Sequence, residues 1–129
     1  MTPQIEFMEL FVREAEEHCN LDTDISLEEL SNENSMYAEL GSGFADTAYY
    51  DKSTVRTFPV LLMCRHVSQE RCLEQLSDIC NYYQRLKEYP QGETFAWLDT
   101  VIAKEPSKIG RDEDGVFHYS CILNCKVYF

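Results

Sequence analysis

The chain has 129 residues, of which 44% are hydrophobic and 26% charged, and this mix suits a single domain with one core. Its net charge of −12, without any cluster of Lys and Arg, argues against binding of nucleic acid through the phosphate backbone. No uncharged apolar stretch approaches the roughly 20 residues of a membrane-spanning helix, and the acidic N-terminus lacks the pattern of a signal peptide. We therefore expect no membrane segment, and six cysteines that stay reduced as in the cytosol.

The acidic charge is concentrated in the first third of the chain. Residues 1–46 hold twelve carboxylates and one base, a net charge of −11, whereas residues 47–129 have a net charge of only −1. This asymmetry leaves open an acidic surface that repels or mimics DNA. We expect one domain over residues 1–129, with an acidic helical part at 1–35 and a sheet and helix part at 36–129.

An amphipathic helix is predicted over residues 3–19. Thr2 can cap its first turn, and Pro3 suits the first helical position because a proline there loses no hydrogen bond. Apolar residues then recur at helical spacing, namely Ile5, Met8, Val12, Ala15 and Cys19. Ser26 and Glu29 have the spacing of a capping box, which predicts a short helical turn after this helix.

Three strands are predicted in the middle of the chain. Residues 36–40 alternate in polarity before a bend at Gly41 to Gly43, and residues 47–50 and 55–66 follow as a hairpin. Pro59 falls inside the third of these strands. Since proline cannot donate to a ladder, its position predicts a sheet edge or a bulge.

The C-terminal half contains a second helix and two further strands. Ser68 can cap a helix that stops before Tyr89, and residues 94–105 return to a strand pattern. Residues 106–115 are predicted to form a polar connection, and residues 117–129 alternate with a period of two throughout. The predicted fold class is α+β, with an antiparallel sheet of four to five strands covered by two main helices.

The cysteines do not form a recognisable metal site. On a strand, Cys121 and Cys125 are about 13 Å apart at roughly 3.3 Å per residue, too far to share one zinc ion. On a helix, Cys72 and Cys80 are about 12 Å apart at 1.5 Å per residue. We interpret them as buried small apolar residues, and we predict no catalytic, cofactor-binding or metal-binding residues.

Tyrosine is abundant, which is typical of protein interfaces. Ordinary half-buried positions in helices and strands are an equal alternative. The residues concerned are Tyr49, Tyr50, Tyr82, Tyr83, Tyr89 and Tyr128.

Residues 46–129 resemble the phage minor capsid proteins of the tail-terminator-like type. The resemblance rests on the segment YYDKSTVRTFPV from Tyr49 to Val60, followed by a capped helix and a strand. It continues with the acidic turn Asp112 to Gly115, which leads into a long strand that ends in Val127-Tyr128-Phe129. The predicted helix at 3–19 has the expected place, whereas residues 20–45 match no motif of that family.

The resemblance implies a structural protein of a tailed phage, a prophage or a phage-tail-like particle. Such a protein forms a homohexameric ring at the head-proximal end of the tail, ends tail polymerisation and joins the tail to the head. The implied partners are further copies of the chain, the tail tube protein and the head–tail connector protein, with DNA passing through the ring. Assembly would take place in the host cytoplasm, and the final location would be the head–tail junction of the virion.

Two sets of residues are candidate sites under this interpretation. The candidate assembly-contact loops contain Asp51, Lys52, Ser53, Arg111, Asp112, Glu113 and Asp114. The candidate acids facing the lumen of a ring, where they would repel passing DNA, are Glu9, Glu14, Glu16 and Glu17. These acids have an alternative explanation, since acidic charge also keeps an unassembled subunit in solution.

Three other functions remain as alternatives. The first is a head-completion or stopper protein at the same joint, and the second is an acidic protein that mimics DNA and inhibits a nucleic-acid-binding enzyme. The third is a thiol enzyme that uses Cys64 or Cys19, which requires a lowered thiol pKa.

Overall fold

Two helices and six strands make up the part of the chain that the computed structural model describes, which is residues 2–22, 24–27, 34–41, 44–48, 54–111 and 115–129. The expected α+β class is confirmed. The helices are α1 (Pro3–His18) and α2 (Gln69–Arg85). The strands are β1 (Ile25–Ser26), β2 (Ser35–Leu40), β3 (Phe44–Ala48), β4 (Thr54–His66), β5 (Ala96–Arg111) and β6 (Phe117–Tyr128).

The strands form one sheet in the order β1-β2-β4-β6-β5, and β3 pairs with β4 beyond the end of β2. All of these pairs are antiparallel except β1 with β2, where Ile25 lies opposite Met36 in parallel register. The expectation of a purely antiparallel sheet is therefore wrong, and the sheet is mixed. Ser26, predicted to cap a short helical turn, instead belongs to β1, and Glu29 lies outside the described residues.

Pro59 lies in an internal strand and not at a sheet edge, because β4 has β6 on one side and β2 and β3 on the other. β2 pairs with β4 as far as Val60, and β3 begins its pairing at Thr57. The Pro59 carbonyl accepts a hydrogen bond from the Gly41 amide at 2.7 Å. The backbone N and O of one residue in an antiparallel strand point to the same side. The Pro59 nitrogen, which carries no hydrogen, therefore faces the junction between β2 and β3, and the pairing of β4 with β6 loses no hydrogen bond.

β5 is longer than its sequence pattern predicts. The segment Pro106 to Arg111, predicted as a loop, continues the strand. Lys104 lies opposite Ile122 and Ser107 opposite Ser120, so β5 uses three residues where β6 uses two. An irregularity of this kind in an edge strand accommodates Pro106, because a proline there removes no bond from a regular ladder.

Both helices begin where their caps predict. The Thr2 hydroxyl oxygen accepts from the Ile5 amide at 3.3 Å, and the Ser68 hydroxyl oxygen accepts from the Arg71 amide at the same distance. Each cap satisfies an amide that has no partner within its helix.

The two helices pack on the same face of the sheet around one hydrophobic core. From α1, the Phe7 ring lies 5.7 Å from Phe58 of β4 and 4.9 Å from Trp97 of β5, between ring centroids. From α2, the Tyr83 ring lies 5.1 Å from Trp97. β6 contributes a buried row to this core, which confirms its predicted alternation; the row is Tyr119, Cys121, Leu123, Cys125 and Val127.

Candidate interaction surfaces

Exposed apolar side chains concentrate on two surfaces. Of the seven large apolar residues exposed in the described part of the chain, five lie there, and the other two are Val67 and Leu73. The first surface, called the β5 edge, is the outer edge of β5 with its exposed side chains, Leu98 (50% exposed), Val101 (53%) and Ile109 (56%). The second, called the α1–β2 groove, includes Ile5 (53%) and Leu27 (40%).

The β5 edge runs for 16 residues, and among the described strands β5 pairs only with β6. Unpaired strand edges carry free amide and carbonyl groups and favour association with another chain. Its distal half, residues 104–111, has three cations, Lys104, Lys108 and Arg111, and a single acid, Glu105. Residues 104–111 therefore have a net charge of +2 within an acidic protein, and the acids Asp112, Glu113 and Asp114 follow them directly in the sequence.

The α1–β2 groove is a depression of about 360 Å³ between the start of α1 and the end of β2. Its lining is mainly apolar, and the residues are Gln4, Ile5, Met8, Glu9, Leu27, Ala38, Glu39 and Leu40. Glu9 and Glu39 are exposed and give the groove an acidic rim. β1 pairs with Met36 and Tyr37 only, so the β2 edge next to the groove has no partner strand among the described residues.

Most of the candidate assembly-contact residues lie outside the described residues, namely Asp51, Lys52, Ser53, Asp112, Glu113 and Asp114. Arg111 is described, and it is the exposed last residue of β5 and not a loop residue. Its guanidinium carbon lies 5.5 Å from the centroid of the Phe117 ring, and the Lys108 ammonium nitrogen lies 5.0 Å from it. Gly115, the next described residue after Arg111, has a φ of 82°, which favours glycine.

The four candidate lumen acids do not form one exposed array. Glu9 and Glu17 are exposed, but Glu14 accepts a hydrogen bond from the Tyr82 hydroxyl at 2.6 Å. Glu16 hydrogen-bonds with Asp24, and its pKa is raised first by burial and then by that neighbouring carboxylate. Two of the four acids are thus engaged within the chain.

Three carboxylate or imidazole groups meet on the outer side of α1. One ligand atom from each of Glu14, Glu17 and His18 lies within 4.8 Å of the others. Glu14 already bonds to Tyr82 and lies 3.3 Å from the His18 imidazole. These contacts between side chains of the chain itself account for the proximity of the three groups.

An ionic network joins the segment after α1 to the start of α2. The Asp22 carboxylate accepts from Arg71 at 2.8–3.0 Å and from the His66 ring at 3.0 Å, which lowers the pKa of Asp22. His66 Nδ1 accepts from the Ser68 amide, so Nε2 carries the hydrogen that His66 donates to Asp22. The Asp22 amide donates to Gln75 at 2.9 Å, which fixes this connection against α2.

The two cysteines considered as nucleophiles, Cys19 and Cys64, lack the lowered pKa that such a role needs. Hydrogen bonds with Cys64 and Cys121 lower the pKa of Cys72 and Cys80, but both of these thiols are buried in the core. Burial raises the pKa of Cys19 to about 11. The pKa of Cys64 is raised by its hydrogen bond with Cys72 and by burial. Five of the six cysteines are buried, which confirms their interpretation as core residues. The sequence did not reveal that the Cys80 and Cys121 sulfurs meet at 3.5 Å, because α2 and β6 are distant in the chain.

The described tyrosines are mostly part of the core and not of an interface. Tyr83 is fully buried, while Tyr82 and Tyr89 are partly buried against the core. Tyr49 and Tyr50 lie outside the described residues. Helix–sheet packing therefore accounts for three of the six tyrosines that suggested an interface.

Neither described helix combines the length and the apolar character needed to cross a bilayer. In comparisons with known proteins, no protein-family model matches the chain, and no curated protein matches it significantly.

Proposed function

We propose that this chain is a structural protein of a tailed phage, a prophage or a phage-tail-like particle, which caps the head-proximal end of the tail tube. The observation that carries the proposal is the β5 edge, which pairs only with β6 among the described strands and carries three exposed apolar side chains. An edge of this length promotes aggregation in a monomer unless another chain covers it. In a closed ring, each subunit covers the edge of its neighbour.

The resemblance of residues 46–129 to the tail-terminator-like proteins supplies the biological setting. In that setting the chain forms a homohexameric ring, contacts the tail tube protein and the head–tail connector protein, and lets DNA pass through the ring. It acts at the head–tail junction, where it ends tail polymerisation. A lumen-lining role for Glu14 and Glu16 is not part of the proposal, because their carboxylates are engaged within the chain.

The hydrogen bonds of these carboxylates within the chain also argue against the alternative of an inhibitor that mimics DNA. A mimic needs carboxylates spread over one face at intervals that match phosphates. Glu16 instead faces Asp24, Glu14 binds Tyr82, and Asp22 is neutralised by Arg71.

The test is the tail-length distribution, measured by electron microscopy, of particles assembled without the chain. We expect overlong or ragged tails beside DNA-filled, unattached heads. Tails of normal length beside heads that have lost DNA would assign the protein to head completion, and unaltered particles would contradict both roles.

A matched pair of variants links the test to the β5 edge. Val101→Lys adds a charge at an exposed position of β5, whereas Val67→Lys adds the same charge at an exposed position outside both surfaces. We expect particles supplied with Val101→Lys to show the tail defect and those supplied with Val67→Lys to have normal tails. Equal results from the two variants would remove the β5 edge from the proposal.

A further inference from the structure

The two candidate surfaces are complementary in character. In the distal β5 edge, the exposed Ile109 is flanked in the sequence by Lys108 and Arg111, whose cationic groups lie 5.0 and 5.5 Å from the Phe117 ring. The α1–β2 groove is an apolar depression whose rim carries Glu9 and Glu39. An apolar residue flanked by cations therefore matches an apolar groove flanked by carboxylates, both in hydrophobicity and in charge.

The two surfaces cannot meet within one copy of the chain. The strand order places β4 and β6 between β2 and β5, so β2 and β5 are about 14 Å apart at roughly 4.8 Å per strand. β5 is also fixed to β6 along its whole length. The complement of the groove must therefore come from another molecule.

We propose that the β5 edge of one copy docks into the α1–β2 groove of a second copy of this chain. The proposal rests on the ring formation of the proposed function and identifies the two surfaces that would make the ring. The contact is heterologous, because it joins one sheet edge to the opposite edge of the next copy, and such contacts repeat into a ring when the rotation closes.

Side chains make this contact, and a continuous β-ladder does not. The register of β5 shifts at four places, including the step between Lys108 and Gly110, and such irregularities interrupt regular strand addition. The groove supplies apolar contact for Ile109, and its acidic rim faces the lysines of the incoming strand. Charge at the rim then decides which molecules associate.

Two charge-reversal variants test the contact. The groove variant is Glu9→Lys with Glu39→Lys, and the edge variant is Lys104→Glu with Lys108→Glu. All four side chains are exposed, so the fold should tolerate both changes. We expect the wild-type chain to self-associate in sedimentation velocity, and each variant alone to lose about tenfold or more in association constant because like charges then meet.

Mixing the variants makes the test specific to a heterologous contact. In an equimolar mixture, each lysine-bearing groove meets a glutamate-bearing edge, and each unchanged groove meets an unchanged edge. We therefore expect the mixture to regain wild-type association in alternating order, which a misfolded variant is unable to do. Matched controls are Glu17→Lys with Glu88→Lys, and Arg85→Glu with Lys87→Glu, which change charge at exposed positions outside both surfaces and should associate like the wild type.

Three outcomes would overturn the proposal. They are a wild-type chain that stays monomeric up to millimolar concentration, variants that associate as well as the wild type, and a mixture that does not recover. The tail-length assay separates this proposal from the proposed function. If the mixture recovers association but particles without the chain have unaltered tails, the contact is valid and the capping role is refuted. If the mixture does not recover but those particles have overlong tails, the capping role is supported and the contact is refuted.

Discussion

The Tyr83 hydroxyl gives the sharpest test of how α1 and α2 are held together. Tyr83 of α2 is fully buried, and its hydroxyl donates to the Phe11 carbonyl of α1 at 2.5 Å. The two rings are stacked with centroids 4.5 Å apart. The substitution Tyr83→Phe removes this hydrogen bond and keeps the ring, so it isolates the polar contact between the helices.

The expected loss in the free energy of unfolding follows from the usual contribution of one hydrogen bond. A typical intramolecular hydrogen bond contributes about 0.5–1.5 kcal/mol net. Because the Phe11 carbonyl lies within an α-helix and also accepts from the amide four residues later, the substitution leaves no buried acceptor without a partner. We expect Tyr83→Phe to lower the free energy of unfolding by about 1 kcal/mol, and the melting temperature by roughly 2–6 °C for a domain of this size.

Chemical denaturation monitored by circular dichroism measures this change. Tyr119→Phe is the matched control, because its hydroxyl makes a longer bond of 3.2 Å to Gln69, an exposed residue that water can also satisfy. We expect that control to change the free energy of unfolding by less than about 0.5 kcal/mol. An unchanged denaturation midpoint for Tyr83→Phe, or an equal loss in both variants, would refute the reasoning.

Three predictions concern pH. The pKa of Asp22 is lowered by its bonds from Arg71, so its contribution to stability is present above the unfolded-state pKa and is lost as the pH falls; the destabilisation caused by Asp22→Asn should shrink below about pH 4. Burial and Asp24 raise the pKa of Glu16, so Glu16→Gln should stabilise the chain at pH 7 and have little effect in acid. Melting temperatures measured across pH would contradict these two assignments if the effect of either variant were larger in acid than at pH 7. Burial raises the pKa of Cys125 from 9.0 to about 12, so stability should fall as the pH rises above 9, and Cys125→Ala should reduce that fall in alkaline melts.

Local sequence signals predicted the two helices and the strands β4 and β6 well. Thr2 and Ser68 identified the first turns because a cap is a contact between residues three positions apart. The alternation over residues 117–129 identified β6 because one face of that strand is buried along its length. These features depend on neighbours in the chain, so the sequence alone exposes them.

The misplaced features depend on residues that are distant in the chain. β1 has only two residues, too few to show a period, and it forms by pairing with Met36 and Tyr37. Pro59 indicated an edge or a bulge because the sequence does not reveal that β2 and β3 divide one side of β4 between them. The polar segment Pro106 to Arg111 resembled a loop because an edge strand with an exposed outer side carries the same residue types.

The candidate surfaces could not be predicted from the sequence either. The predicted lumen acids lie on one helix, yet the structure directs Glu14 to Tyr82 of α2 and Glu16 to Asp24. Neither partner is recognisable from helical periodicity. The exposed valine and isoleucine of β5 had no special meaning until the strand order placed them at the end of the sheet.

The strand order also explains why head-to-tail association suits this chain. The β2 side of the sheet belongs to the segment of residues 1–46, which has a net charge of −11, and β5 belongs to the nearly neutral remainder. A symmetric dimer through the grooves would bring Glu9 and Glu39 against their own copies, and one through the β5 edges would do the same with Lys104 and Lys108. Both arrangements place like charges together, which opposes association. Joining the β5 edge to the groove is the pairing of these two surfaces that brings opposite charges into contact, and it leaves one free surface of each kind for the next copy.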